Sequence, residues 1–336
     1  SSAASDVYKR QDSYYNAIIN WVKQRYDLIV TKEVINFVPG IVPGIGMAMN
    51  CFTQKGDKVM IQPPVYHPFA WVTTRNERTL VINPLKWENG MYRMDLDAFR
   101  EQIKGCKLFI LCNPHNPGGV VWTEAELRAI ADICYDEKVL VFSDEIHADL
   151  TLPPHTHRPF ATVSEKARMN SVTFMSPSKA FNMPGLSASH ALIFNEDLRK
   201  RFRIYMDAGE LDMGHVFAFL SVEAAYSHGT EWLDQCLAYI QGNIDFVDEF
   251  LKKHAPKIKA IRPEASYLVW LDCRELELSQ KDLNEFFVDK AHLALNDGEM
   301  FGKEGIGFMR LNVASPRCII EKAMKQLADA YQLYIK

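Results

Sequence analysis

Between residues 34 and 194, short apolar runs recur between clusters of Gly, Pro, Asn and Asp. Residues 34–38, 58–61, 79–82, 108–112, 139–143, 171–175 and 189–194 each read as a strand. Several are almost continuously apolar, as in Val139-Leu140-Val141-Phe142, which suits a strand buried on both faces. Helical periodicity fills several of the gaps. It is clearest over Glu124 to Glu137, where Leu127, Ile130, Ala131 and Cys134 share one stripe. Strand alternating with helix predicts an α/β unit around a mostly parallel sheet. From Val216 to His254 the pattern is helical almost throughout, broken near Gly229 with Thr230 as the capping residue. Then the rhythm changes. Residues 258–261, 267–271 and 308–313 read as strands, and 279–291 and 316–334 as helices, which predicts a smaller α+β domain. The division expected is a large domain over 12–253 and a small C-terminal domain over 254–336. No internal repeat or low-complexity tract interrupts either.

Composition narrows the function classes. The 336 residues carry a net charge of −4 with both signs interspersed, and no basic block points to nucleic acid. No apolar run approaches the length of a membrane span. The seven cysteines are scattered without a Cys-x-x-Cys pair, the usage of reduced thiols in a cytoplasmic protein. His155 and His157 flank one residue in a Pro-rich loop with no third ligand, so no metal site is expected. Ser1 to Gln11 is small, polar and patternless, without the apolar centre of a signal peptide. It reads as a scar unrelated to the rest of the chain.

Candidate chemistry sits at strand ends. Ser143-Asp144-Glu145-Ile146-His147 closes one apolar run, and Ser176-Pro177-Ser178-Lys179 closes the next. In an open α/β sheet, ligands bind at the carboxyl ends of strands, so an amine and a carboxylate are expected in one crevice. That pair is the protein's share of pyridoxal phosphate chemistry: a lysine for a Schiff base and an acid to keep a pyridine nitrogen protonated. Taken singly, a strand-end lysine or an Asp-Glu pair is ordinarily a solvated group. Four further segments add weight. Asn36 to Gly46 reads as strand, glycine turn and helix start, an anion cradle or simply an ordinary turn. Pro63-Pro64-Val65-Tyr66 ends a strand with an aromatic ring that either stacks on a flat ligand or fills the rim. Asn113-Pro114-His115-Asn116-Pro117 marks a rigid loop whose amides either donate to a ligand or serve the turn. Arg310, within Phe308 to Val313, needs an anion: a substrate carboxylate or an internal salt bridge.

This ordered set resembles the fold-type I pyridoxal phosphate enzymes of the class I/II aminotransferase superfamily. Asn-Pro-His-Asn-Pro, Asp-Glu-Ile-His and Pro-Ser-Lys-Ala-Phe-Asn are similar, more narrowly, to the cystathionine β-lyases of the MalY/PatB type, the cysteine-S-conjugate β-lyases. The resemblance runs from about Asp12 to the end. It implies the aspartate aminotransferase fold, with a mostly parallel seven-stranded sheet, and a homodimer. It also implies that about a sixth of the usual chain is missing ahead of Asp12. That segment includes a tyrosine lent to the partner's phosphate, a role not given to Tyr8. Weak cofactor binding is therefore expected.

The resemblance assigns roles residue by residue. Lys179 would bind the cofactor and move the Cα proton, and Asp144 would pair with the pyridine N–H. Asn116 and His147 would hold the phenolate oxygen, and Tyr66 would stack on the ring. The Ile41 and Val42 backbone, with Ser176 and Ser178, would hold the phosphate. Arg310 would fork onto the substrate carboxylate. One departure is Ser187, where aminotransferases often carry a phosphate-binding arginine. The implied reaction is α,β-elimination of L-cystathionine or a cysteine S-conjugate to a thiol, pyruvate and ammonia. Transamination is the alternative. A non-catalytic effector-binding domain and a poorly active fragment are further readings.

Overall fold

The computed structural model describes residues 11–334. The expectations for the first ten residues and for Tyr8 lie outside them. In chain order the elements are α1 (Asp12–Tyr26), β1 (Ile35–Val38), α2 (Ile41–Phe52), β2 (Lys58–Ile61), α3 (Pro68–Arg75) and β3 (Thr79–Ile82). A hairpin of β4 (Lys86–Glu88) and β5 (Met91–Arg93) precedes α4 (Leu96–Gln102), β6 (Cys106–Cys112), α5 (Glu124–Asp136) and β7 (Leu140–Asp144). Then come α6 (Glu165–Met169), β8 (Ser171–Met175), β9 (Ser189–Leu192), α7 (Glu196–Ala208), α8 (Val216–His228) and α9 (Thr230–His254). The C-terminal part holds β10 (Lys259–Ile261), β11 (Leu268–Asp272), α10 (Gln280–Glu285), β12 (Asn296–Asp297), β13 (Phe308–Asn312) and α11 (Arg317–Tyr334).

Seven strands form one sheet in the order β1-β9-β8-β7-β6-β2-β3. The pairs from β8 across to β3 are parallel, and β9 runs antiparallel to both its neighbours. The centre of the sheet is apolar on both faces because both are covered. On one face Ile45, Met49 and Phe202 of α2 and α7 pack on Ile110, Phe142 and Phe174. On the other, Leu127, Ile130, Ala131 and Cys134 of α5 join Phe109 and Val141. This is the stripe read from the sequence, and α5 begins with Thr123 and Glu126 in a reciprocal capping box.

The second sheet has the order β10-β11-β13-β12, all antiparallel. Its core is continuous with α8, α9 and α11, and α1 belongs to that same cluster through Tyr14, Ile18, Trp21 and Val22. Two local readings need correction. Thr230 is not a cap; it is the first residue of α9, and Gly229 holds the cap position without a side-chain bond. A Cβ at Gly229 would lie 2.3 Å from Phe181 and 2.4 Å from the Ala225 carbonyl oxygen, so packing demands glycine there. The helix expected over 279–291 is α-helical only to Glu285 and then π-helical over Phe286–Lys290.

One buried cation bears on the geometry of α2. The Arg78 guanidinium donates to Thr53 Oγ1 at 2.9 Å, to Thr53 O at 2.8 Å and to Met49 O at 3.5 Å, at the C-terminal end of that helix.

Candidate active site

β6, β7 and β8 end level with one another. Cys112 pairs with Asp144, and Asp144 with Phe174. Their outgoing turns therefore leave from one edge, and there a cavity of about 450 Å³ opens. The turns are tied to neighbouring strands by backbone bonds, Asn113 N to Asp144 O and Glu145 N to Phe174 O, both 2.9 Å. Lys179, Asp144, His147, Asn116 and Tyr66 all line the cavity, with Arg310 reaching in from β13. The segment from Pro39 to Pro43 closes its far end.

Asp144 and Glu145 are adjacent, and β geometry sends neighbouring side chains to opposite sides. Asp144 faces the cavity. Its Oδ1 accepts from Ile146 N at 3.1 Å, and among the described residues it forms no ion pair. Burial pushes its carboxyl up to about 7, with Glu145 adding to the rise and the Ile146 bond and Lys179 opposing it. Glu145 faces away. Its two oxygens take bonds from Ser143 Oγ and Phe160 N at 2.8 Å each and meet His157 Nε2 at 2.8 Å. His157 is thus committed to a buried carboxylate, and His155 lies 3.7 Å from Glu264. Among the described residues no cluster of three metal-binding side chains exists.

Burial lowers the Lys179 pKa, the Arg310 charge lowers it further, and Asp144 works the other way. His147 is driven down to about 3 by burial, with Lys179 and Arg310 reinforcing, so its imidazole is neutral. Its Nδ1 is buried without a partner. Arg310 donates to Asn116 Oδ1 at 3.0 Å and to Asn296 Oδ1 at 2.7 Å, and lies 4.6 Å from the Phe301 ring centre. Its Nε is buried and unpartnered. Because Oδ1 of Asn116 is taken, its amide N–H₂ points elsewhere as the free donor.

Gly40 precedes α2 with φ of 139° and no side chain to cap the helix. A side chain there is strained, and a Cβ would press on Pro43 Cδ at 3.3 Å. The first N–H groups of α2, from Ile41 and Val42, are therefore left to the cavity. Ser178 lines it as well. Ser176 does not. It is buried behind the wall, where its hydroxyl donates to Ala188 O at 2.6 Å and its oxygen accepts from Ser178 N at 3.1 Å. Ser187, at φ of 48°, takes a place on the cavity wall.

Two contributors escaped the sequence reading. Tyr267, just before β11, lines the cavity, 6.3 Å from the His147 ring. Asn296 pairs with Arg310 across β12 and β13. Tyr267 was signalled only as the first residue of a strand, and nothing around Asn296 signalled it at all.

These residues fit a pyridoxal phosphate. A desolvated carboxylate without a cation suits a pyridine N–H. The orphaned His147 nitrogen and the free Asn116 amide suit a phenolate oxygen, and an uncapped helix start behind a glycine suits a phosphate.

Residues 7–327 match the aminotransferase class I and II family. The chain belongs to that family. It is 38% identical over 317 residues to cystathionine β-lyase PatB of Bacillus subtilis, covering 94% of this chain and 82% of that protein. It is 29% identical over 324 residues to MalY of Escherichia coli, covering 96% and 82%. Among solved structures it is similar to a pyridoxal phosphate-bound putative aminotransferase from Clostridium difficile 630, with a TM-score of 0.93 and 40% identity over 96% of this chain and 83% of that one. Cystalysin from Treponema denticola, which contains pyridoxal 5′-phosphate, gives a TM-score of 0.93 and 34% identity over 96% and 82%.

Proposed function

We propose that this family member is a pyridoxal 5′-phosphate-dependent carbon–sulfur β-lyase. It cleaves L-cystathionine or another cysteine S-conjugate to a thiol, pyruvate and ammonia. The observation that carries the reading is the meeting of Lys179, Asp144 and Arg310 in one cavity whose free donors suit the cofactor. The likeness to cystathionine β-lyases supports the choice of reaction. When bound, pyridoxal phosphate supplies an electron sink for the pair left on Cα.

The chain's own residues do the rest. Lys179 would hold the cofactor, and its amine would carry the Cα proton. Burial and the Arg310 charge lower its pKa, a shift toward the neutral amine that proton transfer needs. Asp144 would hold the pyridine N–H, whose positive charge would favour the carboxylate that burial disfavours. Asn116 and His147 would donate to the phenolate oxygen, and Tyr66 would stack on the ring. Ile41, Val42 and Ser178 bind the phosphate. Arg310 binds the substrate carboxylate in a two-pronged ion pair.

The reading includes a homodimer in the cytoplasm. Ile204 on α7 and Phe217 on α8 are 70% and 69% exposed, large apolar side chains that a second subunit would cover. All seven cysteines are free, as a reducing compartment keeps them. Sedimentation at micromolar concentration tests the first point. Transamination is the second reading, favoured by the family as a whole and by the 40% likeness to a putative aminotransferase. The holoenzyme is given L-cystathionine with lactate dehydrogenase and NADH, and no keto acid. Steady NADH loss is expected. Turnover that requires an added keto acid would make it an aminotransferase.

A further inference from the structure

A second cavity of about 340 Å³ opens beside the first and shares Ser178, Lys179, Pro184, Tyr267 and Asn312 with it. Its outer wall comes from α9. That helix carries two apolar stripes. Leu233, Leu237, Ile244, Val247 and Leu251 are buried in the core. Trp232, Cys236 and Tyr239, spaced by four and three residues, form a second stripe that lines this cavity, with Cys236 also resting against the core. Trp232 and Tyr239 are each 50% exposed. Trp232 stacks on Phe181 at 5.7 Å, so one ring face is backed and held. The Tyr239 hydroxyl is occupied by Arg317 N at 2.6 Å. Among the residues lining the cavity, Lys179 is the sole charged side chain, and it stands at the shared mouth.

We propose that this cavity receives the substituent on the substrate's sulfur. It selects cysteine S-conjugates whose leaving thiol is apolar and bulky, such as an aryl or branched alkyl thiol. The proposal rests on the lyase reading of the neighbouring site. With the carboxylate on Arg310 and Cα beside Lys179, a side chain leaves along the shared wall of Lys179, Tyr267 and Asn312. The room it enters is walled by Trp232, Cys236, Tyr239 and Ile240, with Asn182 and Ser315 as neutral polar neighbours and no charge beyond Lys179 at the mouth. L-Cystathionine would bring an ammonium and a carboxylate to it, and beyond Lys179, which the reaction itself engages, neither finds an ionic partner there. A phenyl ring finds apolar surface on Trp232, Cys236 and Ile240. The chemistry stays balanced. Lys179 takes the Cα proton and the Cβ–S bond breaks with its pair on sulfur. The thiolate then takes a proton, and water converts the remaining aminoacrylate to pyruvate and ammonia.

The test compares S-benzyl-L-cysteine, S-methyl-L-cysteine and L-cystathionine on the holoenzyme by pyruvate release. S-Benzyl-L-cysteine should exceed both others in kcat/KM by about tenfold or more, the worth of burying a ring. Trp232→Ala, which removes the wall, and Cys236→Phe, which fills the room, should each cut that advantage about tenfold while leaving S-methyl-L-cysteine unchanged. Calorimetry supplies a readout that needs no turnover: 2-amino-5-phenylpentanoate, the sulfur-free analogue, should bind about tenfold tighter than 2-aminopentanoate, and Trp232→Ala should erase the difference. Equal binding of the two analogues, or equal losses on both S-conjugates in the variants, overturns the subsite while the lyase reading stands. No pyruvate from any substrate, with the binding difference intact, overturns the lyase reading and keeps the subsite.

Discussion

Asp144 and Lys179 leave the ends of parallel strands, whereas Arg310 stands in the middle of an antiparallel one. The two walls of the cavity thus owe their geometry to different forces. On the large-sheet side, backbone bonds fix the turns and each side chain hangs from a framework that does not need it. On the small-sheet side, Arg310 is aimed by side chains: Asn116 and Asn296 accept from it, and Phe301 lies beneath it. Removing a group from the first wall should delete a chemical role cleanly. Removing one from the second should also misplace its neighbours.

The largest effect should come from Lys179→Ala. With Lys179 in the proposed roles of anchor and proton carrier, its loss should reduce kcat by about 10³-fold or more. Borohydride treatment of the wild-type holoenzyme should fix the cofactor mass on the peptide that holds Lys179; an adduct on another lysine would defeat the assignment. Next, Asp144→Asn should lower kcat by roughly 10²-fold with the fold intact. Glu145→Gln should instead cost about 1–3 kcal/mol of stability, because it disturbs a buried network, and change kcat less than tenfold. Equal kinetic losses from the two would break the distinction drawn between adjacent carboxylates.

On the other wall, Arg310→Lys should raise KM about 10- to 100-fold, since a lysine loses the two-pronged pairing. Asn296→Ala should raise KM along the same axis by less, about three- to tenfold, with kcat nearly unchanged. A fall in kcat alone would show that Asn296 does not act through Arg310.

The smallest effect concerns pH in the cofactor-free protein. A raised carboxyl pKa means the folded chain holds a proton that the unfolded chain has lost. That contribution is full below about pH 4 and is lost as pH rises through about 7. Asp144→Asn should therefore raise the apo melting temperature by a few degrees at pH 8 and very little at pH 4. The buried histidines act with the opposite sign. His147, His115 and His190 are all held down to about 3, so their stability is present above pH 6.5 and fades as pH falls toward 3. Thermal scans across this range on wild type and Asp144→Asn check both.

The sheet was legible because its strands are buried on both faces and so spelled in uninterrupted apolar runs. All seven sheet strands were read within two residues of their observed ends. The orientation of β9 was not legible, since an apolar run carries no direction. The first wall could be read for the same reason that it is robust: strand ends and turns have local spelling. Ser176 looked equivalent to Ser178, and only the Ala188 carbonyl, twelve residues away, tells them apart. Asn296 was invisible because its role exists only through pairing with β13.

Arg78 gives α2 a fixed place along its own axis. The helix is 12 residues long, about 18 Å, with free N–H groups at the cavity and a buried guanidinium clamped on the carbonyls at its far end. A cation at that terminus also satisfies the negative end of the helix dipole. The two ends are therefore held by opposite charges when an anion is bound, and the helix behaves as a strut under tension from both sides. Its anion seat can neither retreat from the cavity nor tilt without breaking contacts a full helix length away. A substitution at Arg78, remote from every reacting atom, should loosen the proposed phosphate seat first.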